Sequence, residues 1–121
     1  MNETVLIVDD EADLADTCAR LLKGAGFNCV VAYRQEEALS LFESSRPNVV
    51  VSDITLPTGD GYEIARYVKA KSPGTPVILM TAYHSRSASD QAREAGAAGY
   101  LRKPFPNAEL ISTVQSVVRS H

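Results

Sequence analysis

Carboxylate, hydroxyl and ammonium side chains recur in this sequence where short apolar runs end. Asp9 and Asp10 follow the first run, "VLIV", and Asp53 ends the third, "NVVVSD". Thr81 ends the fourth run, and Lys103 follows the fifth. Neighbouring carboxylates such as Asp9 and Asp10 repel each other by about 1 kcal/mol at 4 Å even in bulk water. Their position after a buried strand therefore indicates a binding site rather than a contribution to stability.

These residue types together are suited to phosphoryl transfer. Three carboxylates in one crevice cannot all stay ionised at low cost, and a hard divalent cation would neutralise them. Mg²⁺ takes oxygen ligands and is usually held by one or two carboxylates together with a phosphate. A metal ion and an ammonium can neutralise the transferred group while a hydroxyl donates a hydrogen bond. A carboxylate can itself be the nucleophile and form an aspartyl phosphate.

The elements that must position these side chains follow from the apolar pattern. Runs with the character of strands alternate with segments that carry the apolar spacing of helices. The first, third and fourth runs are nearly all apolar, which is typical of parallel strands covered on both faces. We expect strands near residues 4–8, 28–32, 48–52, 76–80 and 98–101. The alternation predicts an α/β fold, a flavodoxin-like doubly wound five-stranded parallel sheet in the order 2-1-3-4-5 with five helices.

In such a sheet, ligands bind in the crevice beyond the carboxyl ends of the strands. A single polar residue at a strand end has an ordinary structural explanation, because aspartate caps helices well. Four different strands, however, direct polar side chains to the same edge here. This convergence favours a functional site.

The totals describe one domain over residues 1–121. The chain is 45% hydrophobic and 22% charged with a formal net charge of −3, which argues against direct nucleic acid binding by this segment. No apolar run approaches the length of a membrane span, and no signal peptide is recognisable, so we expect cytoplasmic localisation. Cys18 and Cys29 are interpreted as reduced core residues.

Four motifs give the chain a family resemblance. They are "DD" at 9–10, "SDITLPTGDG" at 52–61, "MTAY" at 80–83 and "YLRKPF" at 100–105. In their order and spacing, the chain resembles the receiver domain of bacterial two-component response regulators over essentially its whole length. The resemblance implies a phosphoacceptor signalling switch rather than an enzyme, with Mg²⁺ as its cofactor.

The resemblance also assigns roles at the acidic edge. Asp53 matches the phosphorylated aspartate, which also contributes to the metal site. Asp10 matches the direct Mg²⁺ ligand, and Asp9 matches the carboxylate that acts largely through water. Thr55 would offer its backbone carbonyl to the metal ion.

Further roles come from the same resemblance. Thr81 matches the hydroxyl that contacts the phosphoryl group, and Lys103 matches the lysine that binds another of its oxygens. Tyr100 matches the aromatic residue that changes rotamer together with Thr81 on activation. Thr55 and Tyr83 match two positions that flank the path of water to the phosphoryl group and so tune its lifetime. The Tyr83 ring either partly covers Asp53 or stays exposed while the residue caps the loop. The bond between Lys103 and Pro104 matches one that is typically cis.

The resemblance implies that a histidine kinase or a phosphotransfer protein donates the phosphoryl group. The chain is either a stand-alone regulator or the receiver of a longer protein. Either an output domain or self-association would use the surface within residues 84–119. The segment 84–97 offers mainly Ala88, Ala92 and Ala95 for burial. It is therefore either a solvated surface helix or a movable element of the switch.

Three other functions fit the sequence less well. A phosphatase of the haloacid-dehalogenase type needs a second aspartate two residues after its nucleophile, whereas Asp9 is followed at that spacing by Glu11. A flavodoxin-like flavin carrier needs a hydroxyl- and glycine-rich phosphate loop, whereas the first strand leads into "DDEADL". A receiver that binds partners without accepting phosphate is disfavoured by the complete set of site residues.

Overall fold

Five β-strands and five α-helices alternate along the chain in the computed structural model, which describes residues 2–120. The expected domain bounds, residues 1 and 121, lie outside the described residues. The strands β1 to β5 are Thr4–Val8, Asn28–Ala32, Val49–Asp53, Val77–Thr81 and Gly99–Arg102. The helices α1 to α5 are Ala12–Gly24, Gln35–Ser45, Gly61–Lys71, Arg86–Glu94 and Asn107–Ser120.

All neighbouring strands run parallel, in the order β2-β1-β3-β4-β5. The predicted fold class and strand order are confirmed. β3, β4 and β5 have the expected lengths, but each begins and ends one residue later than expected. The backbone hydrogen bonds explain the shift, because Ile54 N donates to Met80 O and Lys103 N donates to Thr81 O, both at 2.8 Å. Asp53 and Thr81 are therefore the last residues of paired strands.

The sheet is covered by an apolar layer on each face. Alternate residues of each strand point to opposite faces. Val5 and Ile7 belong to the cluster built with α1 and α5, whereas Leu6 and Val8 belong to the cluster built with α2 and α3. Burying one such side chain stabilises the fold by about 1.5–3 kcal/mol. Two such layers fix the sheet from both sides and leave its strand ends as a rigid platform.

The strand register brings the predicted polar residues together. β1 and β3 are aligned so that Asp9 lies beside Asp53. β3 and β4 are aligned so that Thr81 lies one residue beyond the position paired with Asp53. β4 and β5 are aligned so that Lys103 directly follows the residue paired with Thr81. One edge of the sheet thus carries all four residues.

Helix α4 is short and buries little apolar surface, as the sequence predicted. Ala92 is buried within it and Ala95 just beyond its end, whereas Ala88 is only half-buried. Its N-terminus is fixed by Ser85, whose side chain accepts a hydrogen bond from the backbone N–H of Ala88 at 3.0 Å. Tyr62 adds one contact from α3, its hydroxyl donating to the Ala88 carbonyl at 3.3 Å. The helix is thus only lightly packed against the rest of the domain.

The two cysteines are free thiols, Cys18 buried and Cys29 half-buried, which confirms the prediction that they are reduced. Burial, with a smaller contribution from the nearby Asp9 carboxylate, raises the pKa of Cys18 to about 11. A thiol with this pKa is protonated at neutral pH and is a weak nucleophile. Within residues 2–120, no helix combines the length and the apolar composition needed to cross a membrane.

Gly61 begins α3 directly against the end of β3. A Cβ atom added there would lie 2.5 Å from the backbone oxygen of Asp53 and 3.0 Å from Cα of Ile54. Both neighbours are backbone atoms and cannot turn away. Glycine therefore allows the helix to approach the strand end that carries Asp53.

We expect Gly61→Ala to lower the free energy of unfolding by about 1–3 kcal/mol, because the added methyl group overpacks a rigid contact. Gly24→Ala is the matched control, since nothing lies within 4 Å of a Cβ added at that helical position. That control should be neutral or stabilising by up to about 1 kcal/mol. Urea unfolding of both variants measures the difference. If Gly61→Ala were as stable as Gly24→Ala, the added methyl group at position 61 would cause no strain against the β3 backbone.

Candidate functional site

Lys103 lies at the centre of the polar cluster. Its Nζ atom is 2.7 Å from Oδ2 of Asp9 and 2.7 Å from Oδ2 of Asp53. Glu11 is a more distant third partner, with its Oε1 atom 3.7 Å from the same nitrogen. The Lys103 side chain is only 8% exposed, and Asp9 is fully buried. One ammonium thus neutralises two carboxylates that would otherwise repel each other in a poorly hydrated place.

The two buried carboxylates are held in the same way. Oδ1 of Asp9 accepts a hydrogen bond from the backbone N–H of Glu11 at 2.9 Å. Oδ1 of Asp53 accepts one from the backbone N–H of Thr55 at 3.1 Å. Each aspartate therefore bonds the backbone two residues further on, which is an Asx-turn. Both oxygens of each carboxylate have a donor, so the two groups have fixed orientations.

Asp10 completes an acidic group with Asp9 and Asp53. One carboxylate oxygen from each of the three lies within 4.8 Å of the others. Asp10 is exposed, whereas Asp53 is 6% exposed and Asp9 is fully buried. The group therefore opens to solvent on the Asp10 side and is closed on the Asp9 side.

Burial and charge act in opposite directions at this site. Burial raises the pKa of Asp53, and the hydrogen bond and positive charge of Lys103 offset this rise only in part. Burial by itself lowers the pKa of Lys103, but the hydrogen bonds to Asp53 and Asp9 and the negative charges of both carboxylates together outweigh that effect and leave the pKa above its usual value. Lys103 is therefore charged at neutral pH. An additional cation near Asp53 would favour its ionised, nucleophilic form.

Thr81 is 2% exposed, and its hydroxyl oxygen accepts a hydrogen bond from the backbone N–H of Tyr83 at 2.9 Å. Because the oxygen acts as acceptor there, its own hydrogen remains available for donation. The Tyr83 side chain is 76% exposed. This corresponds to the alternative in which its ring stays in solvent and the residue caps the loop, and not to a ring packed over Asp53.

Tyr100 is half-buried on β5 and makes a contact that the sequence did not predict. Its hydroxyl group is 2.9 Å from Nδ1 of His84, and the two rings meet edge to face with centroids 5.5 Å apart. Nothing in the local sequence around His84 signals this pair, because it depends on the arrangement of the β4–α4 loop beside β5. The bond between Lys103 and Pro104 is cis, which confirms the expectation drawn from the resemblance.

The loop between β3 and α3 is tied to the start of α2. Thr58 donates a hydrogen bond to Glu36, and the amide of Gln35 donates to Glu63 at 3.2 Å. Thr55 itself is exposed, and its backbone pairs with Asp60 in an isolated bridge. These contacts restrain the position of the Thr55 backbone next to Asp53. The sequence predicted Thr55 as a site residue but not the contacts that hold its loop.

The donor set fits Mg²⁺, a hard cation that prefers oxygen ligands and keeps several waters. Oxygen atoms from three carboxylates converge, one of them reachable from solvent, and the Thr55 backbone lies beside them. No thiol or imidazole belongs to this acidic group. Asp9, Asp10, Asp53 and the carbonyl of Thr55 are the groups that would hold the ion, which would supply neutralising charge to a phosphoryl group.

Lys103→Met should lower the free energy of unfolding by about 3 kcal/mol in EDTA at pH 7, because it leaves two buried carboxylates without their cation. Asp53→Asn keeps the shape of the side chain and removes one of the charges, so it should cost much less. The double variant should recover part of the loss. Chemical denaturation of the four proteins measures these differences. A Lys103→Met protein as stable as the wild type would show that Lys103 is not needed to neutralise the pair.

The comparisons with known proteins agree with this geometry. Residues 5–115 match the response regulator receiver domain family. The chain is 35% identical over 114 residues to the DNA-binding transcriptional regulator NtrC of Salmonella typhimurium. That alignment covers 94% of this chain but 24% of the length of NtrC.

Solved structures show the same likeness at the level of the fold. A CheY-like response regulator receiver domain protein from Methanospirillum hungatei JF-1 superposes with a TM-score of 0.95 at 28% identity, covering 99% of this chain and 96% of that one. The chemotaxis protein CheY4 of Vibrio cholerae superposes with a TM-score of 0.91 at 30% identity, covering 97% of this chain and 99% of that one.

Receiver domains bind Mg²⁺ at an acidic pocket and interact with histidine kinases and output domains. They are signalling switches and are not generally classed as enzymes. The sheet order, the acidic edge and the match over residues 5–115 lead to one conclusion. The chain belongs to the receiver domain family of two-component response regulators.

Proposed function

We propose that this chain is a phosphoacceptor switch that takes a phosphoryl group onto Asp53 from a histidine kinase or phosphotransfer protein in a Mg²⁺-dependent reaction. The observation that carries the proposal is the setting of Asp53. Its carboxylate is 6% exposed, is oriented by Lys103 and the Thr55 backbone, and lies within 4.8 Å of the Asp9 and Asp10 oxygens.

The proposed step is a displacement at phosphorus. A carboxylate oxygen of Asp53 attacks the phosphorus atom of a phosphohistidine, and the phosphorus–nitrogen bond breaks. The imidazole nitrogen keeps the bonding electron pair and takes a proton from solvent, and an aspartyl phosphate forms. Lys103 neutralises one oxygen of the transferred group, and Thr81 donates a hydrogen bond to another.

In the proposed metal site, Asp10 is the direct ligand and Asp9 acts largely through water. The burial of these residues supports the assignment, because Asp10 is exposed while Asp9 is fully buried and paired with Lys103. Asp53 and the Thr55 carbonyl complete the protein's share of the ligands. The chain's contribution is to keep these oxygens close together and partly dry before any ligand arrives.

The proposed output surface lies within residues 84–119. Tyr100 lines a groove of about 190 Å³ with residues of α4, among them Ala92 and Arg93. A rotamer change at Tyr100 would alter this groove, and the lightly packed α4 could follow. The partner is an output domain or a second copy of this chain. The relation to NtrC, described as a DNA-binding transcriptional regulator, supports the output domain as one of these.

We propose that residues 1–121 form one receiver domain that acts in the cytoplasm. It promotes its own phosphorylation and loses the phosphoryl group slowly, without acting on a separate substrate. Family membership sets aside the dehalogenase-type and flavin-carrier alternatives. A receiver that binds partners without accepting phosphate is the alternative that the following experiment decides.

Wild-type protein incubated with phosphoramidate and Mg²⁺ should gain one phosphoryl group by intact mass. Asp53→Asn should gain none, and wild type in EDTA should gain little, because the carboxylates would then repel the incoming group. Asp90→Asn, at a partly exposed aspartate on α4 remote from the acidic edge, is the matched control and should behave as wild type. Phosphate uptake by Asp53→Asn equal to that of wild type would exclude Asp53 as the acceptor.

Tyr83 and Thr55 are proposed to set the lifetime of the phosphoryl group. Neither side chain carries a carboxylate that could orient an attacking water. The Tyr83 ring is exposed in the unphosphorylated structure, so this role requires it to turn towards Asp53 after phosphorylation and partly cover it. Tyr83→Ala should therefore shorten the lifetime, and Tyr83→Glu should shorten it at least as much. A tenfold change corresponds to about 1.4 kcal/mol in the barrier. Loss of phosphate after donor removal, with Mg²⁺ present, is the measurement, and unchanged or slower loss in both variants would contradict this role.

A further inference from the structure

His84 is the only partner of the Tyr100 hydroxyl among the hydrogen bonds described for residues 2–120. The Nδ1 and hydroxyl atoms are 2.9 Å apart, and the rings meet edge to face at 5.5 Å with an angle of 63° between their planes. His84 is exposed and Tyr100 is half-buried. Two geometric criteria, a hydrogen bond and a ring contact, therefore describe the same pair.

The backbone around His84 connects this pair to the acidic edge. The loop starts at Thr81, whose hydroxyl oxygen accepts from the backbone N–H of Tyr83 at 2.9 Å. It ends at Ser85, whose side chain caps α4 by accepting from Ala88 N at 3.0 Å. His84 lies between these two fixed points. Because so few residues separate His84 from Thr81, a movement of the Thr81 hydroxyl that displaces Tyr83 N would also displace the backbone of His84.

We propose that His84 is a positioning residue that holds Tyr100 in its unphosphorylated orientation and releases it when Thr81 engages the phosphoryl group. This inference rests on the proposed function and adds the side chain that couples its two switch residues. When the Thr81 hydroxyl turns towards phosphorylated Asp53, its bond to Tyr83 N is disturbed. The loop then shifts, and Nδ1 of His84 moves out of reach of the Tyr100 hydroxyl.

The contact between His84 and Tyr100 affects the equilibrium between the unphosphorylated and activated states only if it is stronger in one of them. A hydrogen bond present in both states would leave their equilibrium unchanged, whereas one present in the unphosphorylated state alone opposes activation by its full strength. Because linkage is reciprocal, removing the bond must strengthen the binding of whatever favours the activated state. One neutral hydrogen bond corresponds to a change of about three- to tenfold.

The contact can be tested first in the free protein. Fluorine NMR of protein labelled with 3-fluorotyrosine gives one signal for Tyr100, assigned by its loss in Tyr100→Phe. His84→Ala should shift this signal. His84→Asn should return it part of the way, because the asparagine amide can occupy the place of Nδ1 but supplies no ring. A Tyr100 signal unaffected by His84→Ala would overturn the proposal.

The coupling to the switch is tested with beryllofluoride, which stands in for the phosphoryl group, in the presence of Mg²⁺. His84→Ala should bind it about three- to tenfold more tightly than wild type, the range that one hydrogen bond supplies. His84→Asn should lie near wild type. The double variant His84→Ala, Tyr100→Phe should bind beryllofluoride no more tightly than His84→Ala, because both changes remove the same hydrogen bond.

Tyr33→Phe is the matched control. It removes a tyrosine hydroxyl that bonds Asp16 at 3.3 Å, next to β2 at the edge of the sheet farthest from β5, and should leave the affinity unchanged. Unchanged or weaker binding by His84→Ala would overturn the role of His84 while leaving Asp53 as the acceptor. Absence of beryllofluoride binding by wild type would instead remove the proposed function, and the role of His84 with it.

Discussion

The ion pair between Lys103 and two buried carboxylates is the constraint on which the rest of the site depends. Asp9 and Asp53 lie side by side because the sheet register puts them there, and neither is exposed enough for water to screen their repulsion. The Lys103 ammonium, 2.7 Å from both, makes this arrangement tolerable. One lysine faces three acidic side chains, so the site still carries excess negative charge. That excess favours the binding of a further cation. The cation would in turn offset the negative charge of an incoming phosphoryl group.

The scaffold is rigid up to the strand ends, whereas the β4–α4 loop and α4 beyond one of them are lightly packed. Apolar layers on both faces hold β1, β3 and β4, and Asx-turns orient Asp9 and Asp53 at their ends. The β4–α4 loop and α4 are held more lightly, by a few side-chain hydrogen bonds, the contact between His84 and Tyr100, and the burial of Ala92. A chemical change at a rigid carboxylate can then be converted into movement of a weakly held surface.

Much of this could be predicted from the sequence, because the strongest signals are local. Apolar runs ending in Asp9, Asp53 and Thr81 predict both the strands and the edge at which their polar residues meet. The alternation of elements predicted the doubly wound fold and left few strand orders, from which the correct one was chosen. The cis bond was expected only from the family resemblance. The pair of His84 and Tyr100 could not be predicted, because it joins residues sixteen positions apart through the shape of one loop. The exposed ring of Tyr83 was likewise undetermined, since a side chain beside a crevice can turn into it or away from it.

The most direct test of the account is nitrogen-15 NMR of the lysine ammonium groups, with the Lys103 signal assigned by its loss in Lys103→Met. An ammonium buried between two carboxylates exchanges its protons slowly, so the Lys103 signal should be observable where exposed lysines are broadened. Addition of Mg²⁺ and beryllofluoride should shift it strongly in wild type and leave it unchanged in Asp53→Asn. A Lys103 signal that exchanges like an exposed lysine, or that does not respond to beryllofluoride in wild type, would contradict the claim that this ion pair is the core of a phosphoacceptor site.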